Sequence, residues 1–449
     1  MLTIYFVDFI DFINNCIFLV NVLFVIMREI SIYFIFRDYD SLILNITSKL
    51  AEQNILYVKV FQAFAINNNI ITDKMSNKLL TFTDNAPWNK NDINMMSLLS
   101  LEKEFNIKIL NDYTPINSGM ISLVFKGIKY DADDPAVFST VIIKLKRENI
   151  ENTLNESIKK MLFCIKILSF IPIMNNYQVS ETIHNNIHLI RQQTDFHQEI
   201  INVKQMQKNS SKLKYVKIPN VYDEVTLKIP NIILMEYIDG KTIQNIDKED
   251  YDAYAKQVVK FVLVTLFMHG LCHGDLHVGN ILFIKDERDA KYPHKIGILD
   301  FGIIYKIEKT RDAFFYIFSN MCDVPPEEIV ENTMLSGIIE PVDCFKKLNK
   351  FHYDNIVQIF TRFINETVHV SKSVSQISIF RTLMDLNNYI VSNNLIVDGV
   401  RIKASDDLVK FQVVLGMLHG VILTLCKNRY IELVNIVMRE TFHVDASES

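Results

Sequence analysis

Apolar residues in the first hundred positions recur at the spacing of one helix face, and no hairpin signal interrupts them. From about residue 105 the pattern changes to short β-branched runs at 107–110, 121–128 and 141–146, which Asn, Asp, Pro and Gly separate. We therefore predict a mainly helical N-terminal region followed by a small antiparallel sheet. The segment Ala86-Pro87-Trp88 marks the break between them.

Beyond the third run, the pattern predicts helices near 153–170 and 190–208, then a strand at 231–237 that ends in an Asp239-Gly240 turn. The chain again has helical periodicity after residue 250. The exception is a strand–loop–strand region from 271 to 305, and 306–445 is predicted to be a helical bundle. The expected class is α+β, with boundaries near residues 40, 104 and 240.

The most apolar stretch lies near the N-terminus, where residues 12–27 carry no charge. Asn14, Asn15 and Asn21 interrupt it, and its sixteen residues fall short of the roughly twenty that a spanning helix needs. Asp8 and Asp11 precede it, where a secretory signal would carry positive charge, so we expect no signal peptide. A buried helix, a membrane-surface helix and a marginal membrane anchor all remain open for residues 1–40.

Composition excludes some classes of function. Of 449 residues, 49% are hydrophobic and 22% charged, which is typical of a globular protein. The net charge of −5 argues against a nucleic-acid partner. None of the six cysteines forms a Cys-x-x-Cys pair, so we expect neither a zinc site nor a disulfide framework, and an intracellular location.

The candidate chemistry gathers in the region 271–305. His273-Gly274-Asp275-Leu276-His277-Val278-Gly279-Asn280 is followed by an apolar run, and Asp300-Phe301-Gly302 comes twenty residues after Asn280. Phosphoryl transfer needs a metal ion on the phosphates and a carboxylate that positions the nucleophile. We expect Asp275 to orient the attacking hydroxyl or water, and Asn280 and Asp300 to hold Mg²⁺.

A lysine that contacts phosphates is expected upstream. Lys144 ends the run Val141-Ile142-Ile143-Lys144 and fits that role as a catalytic and ATP-binding residue. Such a lysine needs a carboxylate partner, and Glu199 is the best candidate. Asp195 lies four residues earlier, so we expect the two acids to share one helix face.

The remaining nucleotide contacts are predicted on a loop and a strand end. The segment 115–124, laid on the pattern GxGxxGxV, retains one glycine of three. Small residues still allow the backbone to approach phosphates, so the expected ATP-binding residues there are Asn117, Ser118, Gly119 and Val124. Met235-Glu236-Tyr237 fits a hinge that would bond adenine through its backbone.

Three kinase-like families share the downstream motif: typical protein kinases, small-molecule phosphotransferases and UbiB-like atypical kinases. Five segments in the correct order resemble the UbiB/ADCK family. Lys59-Val60-Phe61-Gln62 resembles its KxGQ signature, and segments 80–87, 115–122, 141–147 and 194–199 resemble its later motifs. Phe61 replaces the signature glycine, Gln193 replaces a family glutamate, and Asn117, Ser118 and Gly119 replace alanines.

This resemblance implies a bilobal protein-kinase-like fold with a sheet-containing N-lobe at 105–240 and a helical C-lobe at 241–445. A helical extension, 41–104, would pack over the active site with Lys59 and Gln62 near the nucleotide. It would hinder protein substrates, so the implied reaction is hydrolysis of Mg-ATP or phosphorylation of a small or lipid-like molecule, linked to quinone or lipid metabolism. The alternatives are a non-catalytic nucleotide-binding scaffold and a small-molecule phosphotransferase. A membrane surface is a further candidate partner.

Overall fold

The structure is a computed structural model that describes residues 2–59, 86–131, 133–134, 136–168, 190–369, 379–426 and 429–442. The chain divides into two compact units. The first comprises Met1–Ile200 and Asn220–Tyr237, and the second comprises Ile201–Pro219 and Ile238–Ser449. The first unit thus holds most of the predicted segments 1–40, 41–104 and 105–240 together.

The described helices and strands of the first unit follow in chain order, with α5 continuing into the second unit. They are α1 (Leu2–Phe36), α2 (Tyr39–Gln53), α3 (Met95–Phe105), β1 (Ile107–Ile109), β2 (Asn117–Ser118), β3 (Ser122–Tyr130), β4 (Phe138–Lys146), α4 (Ile150–Leu168), α5 (Phe196–Ser210), α6 (Asp223–Lys228) and β6 (Ile232–Glu236).

The predicted small antiparallel sheet is confirmed. Its strand order is β1–β3–β4–β6, and β2 pairs with the start of β3. In the hairpin of β3 and β4, Val124 lies opposite Lys144 and Ser122 lies opposite Lys146. The register therefore brings the end of the lysine strand beside the loop that contains Gly119.

Alternation along β4 assigns its side chains to two cores. Val141, Ile143 and Leu145 are fully buried in a core that includes Leu98 and Leu101 of α3. Since successive strand residues point to opposite faces, Ile142 and Lys144 lie on the other face. The core on that face contains Ile142 and is completed by residues of α4 and α5: Ile150, Leu154, Ile158, Met161, Ile165, Phe196 and Ile200.

The N-terminal helices α1 and α2 form a hairpin on the first unit. Phe18, Val22 and Val25 occupy one face of α1 and pack with Leu50 of α2 and Cys164 of α4. Glu29 continues the same face and is 1% exposed, and it forms a salt bridge with Lys49. One face of α1 is therefore docked on protein.

The described elements of the second unit begin, after the end of α5, with a strand. They are β5 (Val216–Lys217), α7 (Tyr251–His269), β7 (Leu271–His273), β8 (Ile281–Lys285), β9 (His294–Ile298), β10 (Ile304–Lys306), α8 (Arg311–Asn320), α9 (Pro326–Thr333), β11 (Ile339–Glu340), α10 (Val342–Lys346), α11 (Lys350–His369), α12 (Ile379–Ser392), β12 (Ile396–Val397), β13 (Val400–Arg401), β14 (Lys403–Ala404), α13 (Asp406–Cys426) and α14 (Tyr430–Phe442).

The central helix α7 packs against α13, α14, β7 and β9. The strands β8 and β9 pair antiparallel, and β7 pairs with β10, so the four strands frame the loops 274–280 and 299–303. The region 306–445 is mainly helical, as predicted, and it also contains short strands that the sequence did not indicate. Four short strands, β11 to β14, lie within it, and Asp398 and Gly399 have the positive φ of a tight hairpin turn between β12 and β13.

Two described helices are long and apolar enough to cross a membrane, namely Phe9–Phe36 of α1 and Asp406–Cys426 of α13. In the most apolar window of α13, 61% of the residues are buried, which is typical of a core helix. The corresponding share for α1 is 17%. The two helices therefore differ in what their apolar surface contacts.

Candidate nucleotide and metal site

Lys144 and Glu199 form a buried ion pair in the first unit. The Lys144 Nζ atom lies 2.6 Å from Glu199 Oε1, and the two side chains are 11% and 2% exposed. The strand alternation explains this contact, because it turns Lys144 toward the face that α5 covers. The structure thus brings together the two residues that the sequence proposed as partners.

Asp195 does not share the buried face with Glu199, so the predicted alignment of the two acids is wrong. Asp195 precedes the first turn of α5, where its Oδ1 accepts from the N–H of Gln198 at 3.0 Å and its carbonyl accepts from that of Glu199. Its side chain is exposed. An acid at a helix N-terminus satisfies otherwise unpaired N–H groups, so Asp195 acts as the N-cap of α5.

The candidate phosphate loop forms a tight hairpin between β2 and β3. Asn117 pairs with Val124, and the Gly119 N–H donates to the Ser122 carbonyl at 2.9 Å. Asn117 is exposed, whereas Ser118 is 1% exposed. Among the described residues, a Cβ placed at Gly119 would meet the Ser122 carbonyl oxygen at 3.6 Å, which is ordinary van der Waals contact. Packing by these residues therefore does not require a glycine at this position.

Arg147 is a buried residue beside this loop that the sequence analysis did not single out. Its Nη2 atom donates to Ser118 Oγ at 2.7 Å and to the Gly119 carbonyl at 2.8 Å. It follows β4 by one residue and lies 28 residues from Gly119 in the chain. No local spacing in the sequence predicts such a contact. The signal that could have pointed to Arg147 is its position directly after an apolar strand.

The predicted hinge lies at the end of β6. Met235 is 5% exposed and belongs to the core between the sheet and α5. The N–H of Glu236 donates to the Asn220 carbonyl at 2.8 Å, and the N–H of Tyr237 donates to the Thr140 carbonyl at 3.4 Å. Both N–H groups therefore have acceptors within the protein and are not available as adenine donors in this structure.

In the second unit, His273 connects the two chemical motifs. The Asp275 N–H donates to His273 Nδ1 at 3.2 Å, so this nitrogen carries no proton. The other ring nitrogen, Nε2, therefore carries the hydrogen and donates to the Asp300 carbonyl. Burial lowers the pKa of His273, which fits the neutral ring that this pattern requires.

Gly274 is required by close packing. A Cβ atom there would lie 2.8 Å from Tyr305 Cε2 and would also clash with the Ile303 side chain. The Gly274 N–H donates to the Ile303 carbonyl at 2.9 Å, which fixes the loop against β10. Burial, and secondarily the Asp275 charge, raise the pKa of Tyr305 to about 12, so its hydroxyl stays protonated at neutral pH. The sequence analysis did not identify Tyr305.

Asn280 and Asp300 are adjacent and present oxygen atoms. Asn280 Nδ2 donates to the Asp275 carbonyl at 2.9 Å, which leaves its Oδ1 as the atom that can bind a cation. The Leu299 N–H donates to the Asn280 carbonyl at 3.1 Å, and Asp300 Oδ1 accepts from the Gly302 N–H at 2.9 Å. Asp275 itself is 5% exposed.

This donor set fits Mg²⁺. An amide oxygen and a carboxylate are hard ligands, and Mg²⁺ in nucleotide enzymes usually takes one or two protein oxygens plus phosphates and water. Within the described part of the chain, no group of three or more His, Cys, Asp or Glu side chains could hold a metal ion. Asn280 and Asp300 could supply the protein oxygens of such a site, and phosphates and water the others.

The extension residues are only partly described. Lys59 is half-buried and is the last described residue before the segment 60–85. Gln62 lies outside the described residues, as do Phe61 and most of segment 80–87. Their predicted roles stay predictions.

Comparison with known proteins supports the kinase-like reading. An uncharacterised protein of the hydrogenase 1 5′ region of Clostridium pasteurianum is 24% identical, over 81% of this chain and 68% of its own length. The probable serine/threonine-protein kinase abkB of Dictyostelium discoideum is 26% identical over 63% and 42%. The probable protein kinase UbiB of a Shewanella strain is 24% identical over 57% and 47%. This chain thus spans less than half the length of the last two relatives.

Among solved structures, Rv3197 of Mycobacterium tuberculosis, determined in complex with erythromycin, covers 90% of this chain at 16% identity, with a TM-score of 0.45. That score adds nothing to the fold assignment, which follows from the sheet, the helices and the family match. The model of the ABC1 atypical kinase-like domain matches residues 104–333, just over half of the chain. The predicted UbiB-like relationship and α+β kinase-like fold are confirmed, and this chain belongs to the ABC1 atypical kinase-like family.

Proposed function

We propose that this chain binds Mg-ATP and either hydrolyses it or transfers its γ-phosphate to a small or lipid-like acceptor. Lys144 would contact the phosphates, Asn280 and Asp300 would hold Mg²⁺, and Asp275 would orient the nucleophile. The loop residues Asn117, Ser118, Gly119 and Val124 would line the phosphates. The strand end Met235–Tyr237 would lie near the base.

The buried Lys144–Glu199 pair is the observation that carries this proposal. A buried ion pair is weak support for stability, because desolvation of both charges offsets most of their attraction. Replacement by apolar residues of similar size is often neutral or stabilising. The Lys144–Glu199 pair lies on a face of the sheet whose other residues are apolar. Because stability does not explain the pair, its position supports a role in binding a charged ligand.

The reaction follows from the positions of the side chains in the second unit. Asp275 would accept a hydrogen bond from the acceptor hydroxyl or water and orient it for in-line attack. The neutral His273 fixes the backbone of Asp275 against that of Asp300. When bound, Mg²⁺ would neutralise charge on the phosphate oxygens.

A small or lipid-like acceptor is favoured over a protein by the resemblance to UbiB-like kinases, whose N-terminal extension covers the active site. The probable protein kinases named UbiB are among the relatives of this chain. The link to quinone or lipid metabolism rests on that relationship alone.

Membrane association is supported by the outer face of α1. Opposite its docked face, apolar side chains are mostly exposed: Ile17 54%, Val20 63%, Phe24 65% and Met27 68%. Insertion of each into the acyl region would contribute roughly 1.5–3 kcal/mol. Since the docked face packs on α2 and α4, α1 would lie along a membrane surface rather than cross it.

Phosphate release tests the catalytic proposal. The intact protein should release phosphate from Mg-ATP, and Asp300→Asn should lower the rate at least about a hundredfold, the usual effect of removing a group that stabilises transition-state charge. Asp312→Asn, at a side chain that is 93% exposed, is the matched control and should retain full activity. Turnover that Asp300→Asn leaves unchanged would refute the assignment. Stabilisation by Mg-ADP without turnover would instead indicate a nucleotide-binding scaffold.

Flotation on vesicles tests the membrane proposal. The wild type should float with vesicles that contain anionic lipid, and a Val20→Ser/Phe24→Ser variant should remain in the soluble fraction. Met96→Ser removes an even more exposed apolar side chain, at 81%, from α3, and it should float like the wild type. Equal flotation of all three would exclude α1 as the contact.

A further inference from the structure

The side chain of Arg147 donates hydrogen bonds from all three of its nitrogen atoms. The residue is 5% exposed. Its Nε donates to the Gly119 carbonyl at 3.1 Å, and Nη1 donates to the Pro87 carbonyl and to Asp92 Oδ2, both at 2.9 Å. Nη2 donates to Ser118 and Gly119, so all three nitrogen atoms of the planar guanidinium act as donors.

The acceptors of Arg147 belong to two segments of the first unit. One is the candidate phosphate loop at Ser118 and Gly119, and the other is the segment 86–92 that precedes the sheet. These segments also bond directly, because the Ala86 N–H donates to the Ser118 carbonyl at 2.7 Å and Ser118 Oγ donates to the Ala86 carbonyl at 2.8 Å. Arg147 therefore connects the loop to segment 86–92 of the N-terminal extension.

Asp92 compensates the buried charge of Arg147. Burial lowers the pKa of Arg147, and the nearby Asp92 carboxylate opposes that effect. The two side chains are 4% and 22% exposed, so the pair is largely screened from water. The bonds to the loop carbonyl, Asp92 and Ser118 come from three different guanidinium nitrogens, and lysine, a point charge without the planar fork, cannot reproduce that geometry.

These bonds occupy two carbonyl groups of the loop. The Gly119 carbonyl accepts from the Arg147 side chain, and the Ile121 carbonyl accepts from the Arg147 N–H at 3.0 Å. The Met120 and Ile121 side chains are buried in the core beside α4 and α5. Within the described part of the chain, the N–H groups of Met120 and Ile121 have no hydrogen-bond acceptor. Two neighbouring N–H donors are what a phosphate oxygen requires.

We propose that Arg147 is a positioning residue for polyphosphate binding. It holds the hairpin 117–122 in the shape that presents these two N–H groups, and it does so by fastening the loop to segment 86–92. The affinity for the phosphates of ATP therefore depends on the position of segment 86–92, which belongs to the N-terminal extension. This inference rests on the proposed nucleotide function and adds a residue to it.

Three ligands distinguish positioning from general stability. Affinities for Mg-ATP, Mg-ADP and adenosine are measured, the last by displacement of a fluorescent ADP analogue, for the wild type and for Arg147→Lys. Loss of the pre-organised loop donors should lower the affinity for Mg-ATP and for Mg-ADP about tenfold or more. The affinity for adenosine, which has no phosphate, should not change. Asp92→Asn should show the same selectivity with a smaller loss.

The control is Arg429→Gln, which removes another Arg–Asp contact, to Asp252 in the second unit, and should change none of the three affinities. If Arg147→Lys binds all three ligands with the affinity of the wild type, the inference is overturned, whereas the proposed function is unaffected. Equal weakening of all three would also overturn it. If the wild type itself binds neither nucleotide, both the proposed function and this inference fail.

Discussion

The Lys144–Glu199 region and the Asp275–Asp300 region are held in place by different interactions. In the first unit, Lys144 meets Glu199 and Arg147 meets Asp92, and each pair is separated by 55 residues in the chain. In the second unit the bonds are mostly to the backbone. Some lie within one loop, as from Asn280 to Asp275 and from Gly302 to Asp300, and others join the two loops, as from His273 to Asp300. The first region is therefore sensitive to loss of charge, and the second to changes in backbone packing.

The largest expected effect is on the ion pair. Lys144→Met or Glu199→Leu alone should lower the free energy of unfolding by about 3–5 kcal/mol, because each leaves one buried charge without its partner. The double variant should recover most of that loss, yet release no phosphate from ATP. Urea unfolding and phosphate release measure the two quantities. Lys146→Met, which removes a contact to the 66% exposed Glu151, should cost less than about 1 kcal/mol.

Gly274→Ala tests whether the second region depends on packing. The added Cβ would meet the Ile303 and Tyr305 side chains, so we expect a loss of about 3 kcal/mol in the free energy of unfolding, together with a loss of turnover. Gly119→Ala is the control for stability, since among the described residues its Cβ would come no closer than 3.6 Å to another atom. Equal stability of the two variants would contradict the packing argument.

Mild acid should also weaken the second unit. His419 of α13 is 8% exposed and packs edge-on against Tyr430, and burial lowers its pKa to about 4. The unfolded chain, with a histidine pKa near 6.5, binds this proton at a higher pH than the folded chain does. The contribution to stability is therefore complete above about pH 6.5 and is lost as pH falls, by about 2 kcal/mol at pH 5.

Hydrogen exchange at pH 7.5 and pH 5 would locate this effect. Amides of α13 should lose protection more than those of β4, and His419→Phe should remove most of the difference. Equal loss in α13 and β4 would show that acid acts elsewhere.

The smallest effect concerns Asp195. If it acts only as the N-cap of α5, Asp195→Ala should cost about 1 kcal/mol in thermal or urea unfolding, and Asp195→Asn, which can still cap, almost nothing. Phosphate release should survive in both. Lost turnover in the stable Asp195→Asn protein would instead support the family-implied role of this acid at the nucleotide site.

Local motifs made the second region predictable. The strands of this region are predicted by apolar runs and nearby glycines. The motif residues follow from their spacing relative to these strands: His273, Asp275, Asn280 and Asp300. Lys144 was predictable from its strand, and Glu199 followed from the need for a partner. Arg147 could not be predicted, because its partners lie up to 61 residues away and no periodicity connects them. Asp195 was misplaced because the spacing rule holds inside a helix, whereas this residue precedes the helix.

The central claim is that Asn280 and Asp300 hold Mg²⁺ on a bound nucleotide. Titration calorimetry of the intact protein with ADP, in the presence of Mg²⁺ and then of a chelator, tests it most directly. We predict that Mg²⁺ increases the affinity of the wild type for ADP at least about tenfold, and that Asp300→Asn abolishes this increase without unfolding the protein. An affinity for ADP that is the same with Mg²⁺ and with the chelator would contradict the account.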